Sequence, residues 1–168
     1  MKLTFRQAGS DKIEEVLKLF HDTSVELKKM GLTQWGYWAD PPEEKIQWVR
    51  DGFEKGEFHF VYNQENEWVG IFRLLETDTL YWDEKGLEKD VRYVHSLVTK
   101  PGRSGNGIGA KVLKKLAVDL KKDGVHKLRL DCDSSNSRLC SYYEDQGFVK
   151  VGEKKTPFST NNLYERIL

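Results

Sequence analysis

The 168-residue sequence predicts an α/β (α+β) fold: a mixed, mostly antiparallel central sheet of about seven strands with helices on both faces. Three observations predict it. The β-rich runs FHFVY (58–62) and WVGIFRLL (68–75) flank the polar NQENE, the pattern of a hairpin. VRYVHSLV (91–98) is the most apolar continuous run in the chain, as expected of a strand buried on both faces. Between it and the next strand, KLRLDC (127–132), lie a glycine loop and an amphipathic helix, and such a unit calls for parallel strands with a right-handed crossover. Hairpin and crossover together close as a mixed sheet with helices on both faces.

The remaining elements follow in order. Residues 2–8 alternate around Leu3 and Phe5 and read as a first strand. Ser10 or Asp11 can cap a helix through Ile13, Val16, Leu17, Phe20 and Val25, whose spacing of three and four marks one buried face. Glycine is the usual residue past a helix end, so Met30–Gly31 closes it. GLTQWGYWADPP reads as loop, and Pro41–Pro42 opens a second helix at 43–51. A longer polar segment around Asp83–Asp90 leads into the 91–98 strand. The crossover helix carries Ile108, Val112, Leu113, Leu116, Ala117 and Leu120 on one side, and Asp123–Gly124 stops it. A helix at 136–145, the run FVKVGE and a last strand in NLYERIL complete the chain. With no repeat, low-complexity segment or linker, residues 1–168 read as one domain.

Composition narrows the function. Lysine plus arginine and aspartate plus glutamate cancel at 27 each, which argues against nucleic acid as the main partner. No apolar run approaches the roughly 20 residues needed to span a bilayer, and MKLTFRQAGSDK lacks the apolar core of a signal peptide, so no membrane partner and a cytoplasmic location are expected. Cys132 and Cys140 form no disulfide framework and have no second pair to make a zinc site, so no metal is expected.

The chemistry concentrates after the buried strand, in KPGRSGNGIGAKVL. Gly105, Gly107 and Gly109 lack side chains, so backbone N–H groups can turn inward on an anion, and the helix starting near Ile108 adds its unpaired N–H groups and positive dipole end. Arg103 supplies a permanent charge on the rim. A nucleoside-triphosphatase loop would need Lys-Ser or Lys-Thr after the last glycine, and Ala110-Lys111 stands there. A dinucleotide fold fits better, because Gly105-x-Gly107-x-x-Ala110 matches its fingerprint and Asp131 follows about 20 residues on. Against it stand the long, Pro101-containing turn out of the strand and the motif's mid-chain position. A loop that binds nothing is the third reading.

The next segment discriminates among these. LVTKPGRSGNGIGAKVL followed by LRLDCDSSNSRLCSYYEDQGF resembles the GCN5-related N-acetyltransferase (GNAT) family in order, spacing and residue type over residues 91–150. In that family a buried strand leads to an Arg-Gly-x-Gly-x-Gly loop and a helix. Another strand, an Asn and Tyr-Glu-x-x-Gly-Phe follow; here these are Asn136 and Tyr143–Phe148. GLTQW (31–35) is also similar to a bacterial branch. One departure is plain: Ser104 stands where the arginine usually precedes the first glycine, with Arg103 one step earlier, which leaves open the contact Arg103 makes.

The resemblance implies a GNAT-like fold and direct transfer of an acetyl group from acetyl-CoA to an amine, without an acetyl-enzyme. It implies that the pantetheine arm pairs with the strand at Leu97 and Val98, and that the diphosphate sits on Arg103, Ser104, Gly105, Asn106, Gly107, Ile108, Gly109 and Ala110. Tyr143 matches the family tyrosine that acts as general acid toward the departing thiolate, against a plain packing role. Asn136 holds the pantetheine or strand end, or else caps a helix. His95, beside the implied thioester site, is a candidate base or a hydrogen-bonded core histidine; Glu76 and Asp78 are further candidates. Trp35 and Trp38 line the acceptor pocket or plug the core. The acceptor is a small-molecule amine or a peptide; homodimers are common in the family, though nothing in the sequence specifies one. Alternatives are a catalytically silent acyl-CoA-binding module and, from another class, a dinucleotide-dependent oxidoreductase.

Overall fold

The computed structural model describes residues 1–168. Seven strands, β1 (Thr4–Gln7), β2 (Phe58–Tyr62), β3 (Trp68–Leu75), β4 (Val91–Thr99), β5 (Lys127–Asp133), β6 (Val149–Lys155) and β7 (Thr160–Ile167), form one sheet in the order β1-β2-β3-β4-β5-β7-β6. The helices are α1 (Ile13–Lys29), α2 (Glu43–Glu54), a single turn α3 (Thr79–Trp82), α4 (Ile108–Lys122) and α5 (Ser137–Asp145). β1–β2, β2–β3, β5–β7 and β6–β7 pair antiparallel, while β4 and β5 run parallel from Val91 opposite Lys127 to Tyr93 opposite Arg129. This α/β sheet is the one the sequence predicts. Its antiparallel majority overturns the dinucleotide alternative, which requires a mostly parallel sheet.

Two local expectations change. Neither Ser10 nor Asp11 caps α1: Ser10–Lys12 wind as a 3₁₀ turn straight into the helix, without a side-chain cap. The polar segment before β4 is not open loop but α3 followed by a 3₁₀ turn over Asp83–Leu87. The order of the last two strands, which the sequence leaves open, places β7 between β5 and β6. Their side chains explain it: β7 buries Asn161 to Tyr164, whereas β6 (VKVGEKK) leaves Val149 and Val151 exposed and carries the lysines that suit a sheet edge.

The chain forms two compact units, residues 1–73 with 96–109, and residues 74–95 with 110–168. In the first, α1 and α2 bury Val16, Phe20, Val49 and Phe53 against Phe58, Phe60 and Ile71 of the β2–β3 hairpin. In the second, period-two alternation along β5 turns Cys132 toward Cys140 of α5 and Arg129 toward the segment after β3. Arg129 is nearly inaccessible and fully engaged. It donates to Glu165 (2.8 Å), Glu88 (2.6 Å), the Lys85 carbonyl (2.9 Å) and the Tyr93 hydroxyl (3.0 Å), and lies 4.6 Å over the Trp82 ring. Tyr93 itself donates to the Lys85 carbonyl at 2.8 Å. These contacts fasten residues 79–88 to the sheet.

β4 changes character midway. Ser96 has φ +52°, a left-handed value inside a strand, which breaks the pleat after His95. Strand parity therefore does not carry from Tyr93 and His95 to Leu97.

Candidate active site

The glycine loop follows β4 as a string of turns from Pro101 to Gly107 and feeds directly into α4 at Ile108. Gly105 and Gly107 hold φ +83° and +66°, which L side chains adopt only with strain, and a Cβ built on either meets no atom within 4 Å. The glycines are thus required by backbone conformation, not by packing against the chain. Around them the polar side chains serve the loop itself. Asn106 donates to the Arg103 carbonyl (3.2 Å), and the hydroxyls of Ser104 and Thr99 lie 3.5 Å apart. Arg103 turns to Glu67, donating at 2.8 Å. The Asn63 amide and then the Arg103 charge hold the Glu67 carboxyl below its ordinary value. Ile108 and Val98 are buried, Leu97 and Ala110 are half-buried, and Gly109 is in the first turn of α4.

In the second unit, Asn136 caps α5, its side-chain oxygen accepting from Leu139 N at 3.1 Å. The capping role weighed in the sequence is therefore filled. About two turns on, Tyr143 lies among Tyr142, Phe148 and Tyr164, with ring centroids 5.5–6.3 Å away. Burial, and next the nearby Cys132 thiol, push its phenol well above the ordinary tyrosine value. Tyr143 is consequently a neutral hydroxyl at physiological pH. Cys132 and Cys140 place their sulfurs 3.6 Å apart in a buried setting; burial, then the contact with Cys140, pushes the Cys132 thiol up and keeps it protonated.

His95 sits in the second unit between two carboxylates. Its Nε2 is 2.7 Å from Asp78 Oδ2, and its Nδ1 is 3.6 Å from Asp131 Oδ1. All three side chains are nearly buried, at 11%, 4% and 6% exposure, and the Tyr81 ring lies 5.1 Å from the imidazole. Asp78 is fixed from several sides: Oδ1 accepts from Tyr81 N (3.2 Å), and its own N donates to the Gly86 carbonyl (3.0 Å). Gly86 must be glycine for this, because a Cβ there would collide with the Asp78 carbonyl. Asp131 accepts from Asn161 Nδ2 at 2.6 Å. The three residues bring metal-capable atoms within 4.8 Å of one another. The two imidazole nitrogens address different carboxylates: the Asp78 contact is a hydrogen bond, while the 3.6 Å to Asp131 is longer than one.

The structure thus joins His95 to Asp78, which the sequence offered only as a separate candidate base, and to Asp131, which the sequence marked for a dinucleotide ribose. A signal for Asp131 was present: a carboxylate inside the apolar strand KLRLDC needs a buried partner. Glu76 is exposed and lies 3.4 Å from Arg92. The two tryptophans belong to the first unit. Trp38 is core, 3% exposed, with its ring 4.7 Å from Phe20. Trp35 is half-buried at φ +68°, an unusual conformation for so bulky a residue, with its ring edge-on to Phe20 at 5.2 Å.

Comparison with known proteins agrees with this layout. The model of the acetyltransferase (GNAT) family matches residues 18–148. An uncharacterized N-acetyltransferase of Bacillus subtilis (strain 168), YesJ, is 27% identical over 157 residues, covering 91% of this chain and 83% of that protein. Among solved structures, a GNAT-family acetyltransferase from Listeria monocytogenes 4b F2365 superposes with TM-score 0.79 at 24% identity, covering 99% of this chain and 95% of that one. The aminoglycoside acetyltransferase AAC(6')-Ib, solved with coenzyme A and kanamycin, superposes with TM-score 0.73 at 20% identity and the same coverage. At these identities the structural likenesses speak for the fold, and the family match speaks for the class: the chain belongs to the acetyltransferase (GNAT) family.

Proposed function

We propose that the chain, as a single N-acetyltransferase domain over residues 1–168, transfers the acetyl group of acetyl-CoA directly to a primary amine of a small molecule or peptide. The observation that carries the coenzyme part is the loop at Gly105 and Gly107. Its backbone is left-handed and open where a Cβ would stand, and it runs into the first turn of a 15-residue helix. Such amides favour an anion, here the diphosphate, with Arg103–Ala110 around it. In the same reading Leu97 and Val98 flank the pantetheine, and Asn136 supports the end of that arm.

Positioning of amine and thioester supplies much of the rate. Tyr143 serves the leaving group. Its raised pKa makes full proton transfer to a thiolate, whose acid has a pKa near about 8.5, unfavourable, so the phenol acts chiefly as a hydrogen-bond donor to the developing charge. His95 is the base for the acceptor. Relatives of this fold named for aminoglycoside and spermidine acetylation support an amine acceptor for this chain too.

Calorimetry with acetyl-CoA and NAD side by side, followed by a thiol-release assay across an amine panel, tests the proposal. Tight binding of acetyl-CoA alone, with thiol release on some amine, is expected. Binding of NAD in its place overturns it, and acetyl-CoA binding without release on any amine turns the chain into a silent acyl-CoA module.

A further inference from the structure

The first residues of β3 bear on the pantetheine end of the coenzyme, an inference that rests on the acetyl-CoA reading above. We propose that Trp68 and Gly70 are positioning residues for the pantetheine arm. Acting through residues 98–100, they set the angle at which the Leu97–Val98 backbone meets it.

Gly70 is buried, and a Cβ there would stand 2.7 Å from the Val98 carbonyl oxygen and 3.4 Å from Thr99 Cα. A Cβ points out of a sheet, whereas ladder hydrogen bonds lie within it. The Val98 carbonyl is therefore tipped out of the ladder, over the face that a side chain at position 70 would occupy. Only glycine admits this, because the obstructing atoms belong to backbone and not to a side chain that could rotate away. The neighbouring contacts hold the arrangement. The Trp68 indole N–H donates to the Gly70 carbonyl at 2.8 Å, and Lys100 N donates to the Val69 carbonyl at 2.9 Å. The Trp68 ring is stacked on Phe60, with centroids 4.5 Å apart, and Lys100 Nζ lies 4.3 Å from the indole centroid. Trp68, Val69 and Gly70 thus each fix the chain between Val98 and Lys100.

That stretch is where β4 changes use. Ser96 breaks the strand at φ +52°, Leu97 and Val98 lie past the part of β4 that pairs with β5, and the turns of the glycine loop begin at Pro101. A peptide unit is planar and rigid, so the tilt of the Val98 carbonyl is also the tilt of the Thr99 N–H, and it fixes ψ of Val98. In the acetyl-CoA reading, backbone groups of Leu97 and Val98 pair with the pantetheine amides. An alanine at position 70 must drive the Val98 oxygen from 2.7 Å to ordinary contact at 3.4 Å or more. That displacement is wider than the whole range of about 2.7–3.2 Å over which an N–H···O bond is good. The Gly105 and Gly107 amides lie outside these contacts, so the two ends of the coenzyme separate experimentally.

Calorimetry and backbone amide NMR, with acetyl-CoA as the probe, test this. In wild type, saturating acetyl-CoA should shift the amide signals of both Leu97–Val98 and Gly105–Gly107. Gly70→Ala is expected to weaken acetyl-CoA binding about tenfold. At saturation it should keep the loop shifts at wild-type size while those of Leu97 and Val98 fall to less than about half. Trp68→Phe keeps a ring against Phe60 and removes only the N–H that holds the Gly70 carbonyl; a loss of about threefold with the same split is expected, and it carries the test if Gly70→Ala does not fold. Unchanged affinity in Gly70→Ala, or in Trp68→Phe where the first does not fold, overturns the proposal. Loop and strand shifts that fall together, or strand shifts that persist at wild-type size, would mean that these residues only hold the fold, and overturn it too. So does wild-type binding that shifts the loop and not the strand. No acetyl-CoA binding in wild type sinks the acetyl-CoA reading itself.

Discussion

The glycine loop and the His95 cluster are built on opposite principles. The loop works by lacking side chains: Gly105 and Gly107 leave open space, and the nearby arginine is occupied with Glu67. The cluster works by crowding them. Two carboxylates and an imidazole are nearly buried together, over a scaffold held by a buried arginine with four partners. Substitutions in the loop should accordingly cost binding and spare the fold, whereas those beneath the cluster should cost the fold. Loops carry ligand contacts at low packing density, and buried charges persist only when everything around them is in place.

That contrast can be tested from its strongest side down. Arg129→Met leaves Glu165 without its 2.8 Å partner and is expected to destabilise the chain by about 3–5 kcal/mol in denaturant unfolding. Tyr143→Phe keeps the ring packing and removes only the hydroxyl. Turnover should fall about 100-fold while calorimetric affinity for acetyl-CoA stays within about twofold; unchanged turnover would return Tyr143 to a packing role. Gly107→Ala meets no atom but must either hold φ +66° at a strain of about 1 kcal/mol or reshape the loop, so affinity for acetyl-CoA should weaken about tenfold with little change in unfolding midpoint. A midpoint shift as large as that of Arg129→Met would break the comparison. The smallest effect is expected at Glu67→Gln, which releases Arg103 from its exposed ion pair; affinity should rise by about twofold at low salt and not at high salt.

Much of this was legible in the sequence because it is local. Period-two runs marked the β2–β3 hairpin and the buried β4, glycine spacing marked the loop, and Tyr143 through Phe148 tied the loop to a family. Where local signals were ambiguous the reading slipped. Ser10 and Asp11 look like caps and instead form a 3₁₀ turn, and residues 79–87 look like polar loop because the contacts that fold them come from Arg129 and Tyr93 of distant strands. The order of β6 and β7 was equally hidden, since a hairpin reads the same whichever strand joins the sheet. Trp35 and Trp38 show the limit in another way: an aromatic in a loop is compatible with pocket or core, and only Phe20 decides for Trp38.

By itself, then, the sequence determined the α/β class, the glycine loop and the family, because each rests on residues near one another along the chain. The tertiary structure alone decided what Asp131 faces. About 20 residues past a glycine loop it mimics a ribose ligand, yet it lies beside His95, itself bonded to Asp78 across 17 residues of sequence. The reason is physical: a buried carboxylate takes its meaning from whatever charge it faces, and facing is a property of the folded sheet.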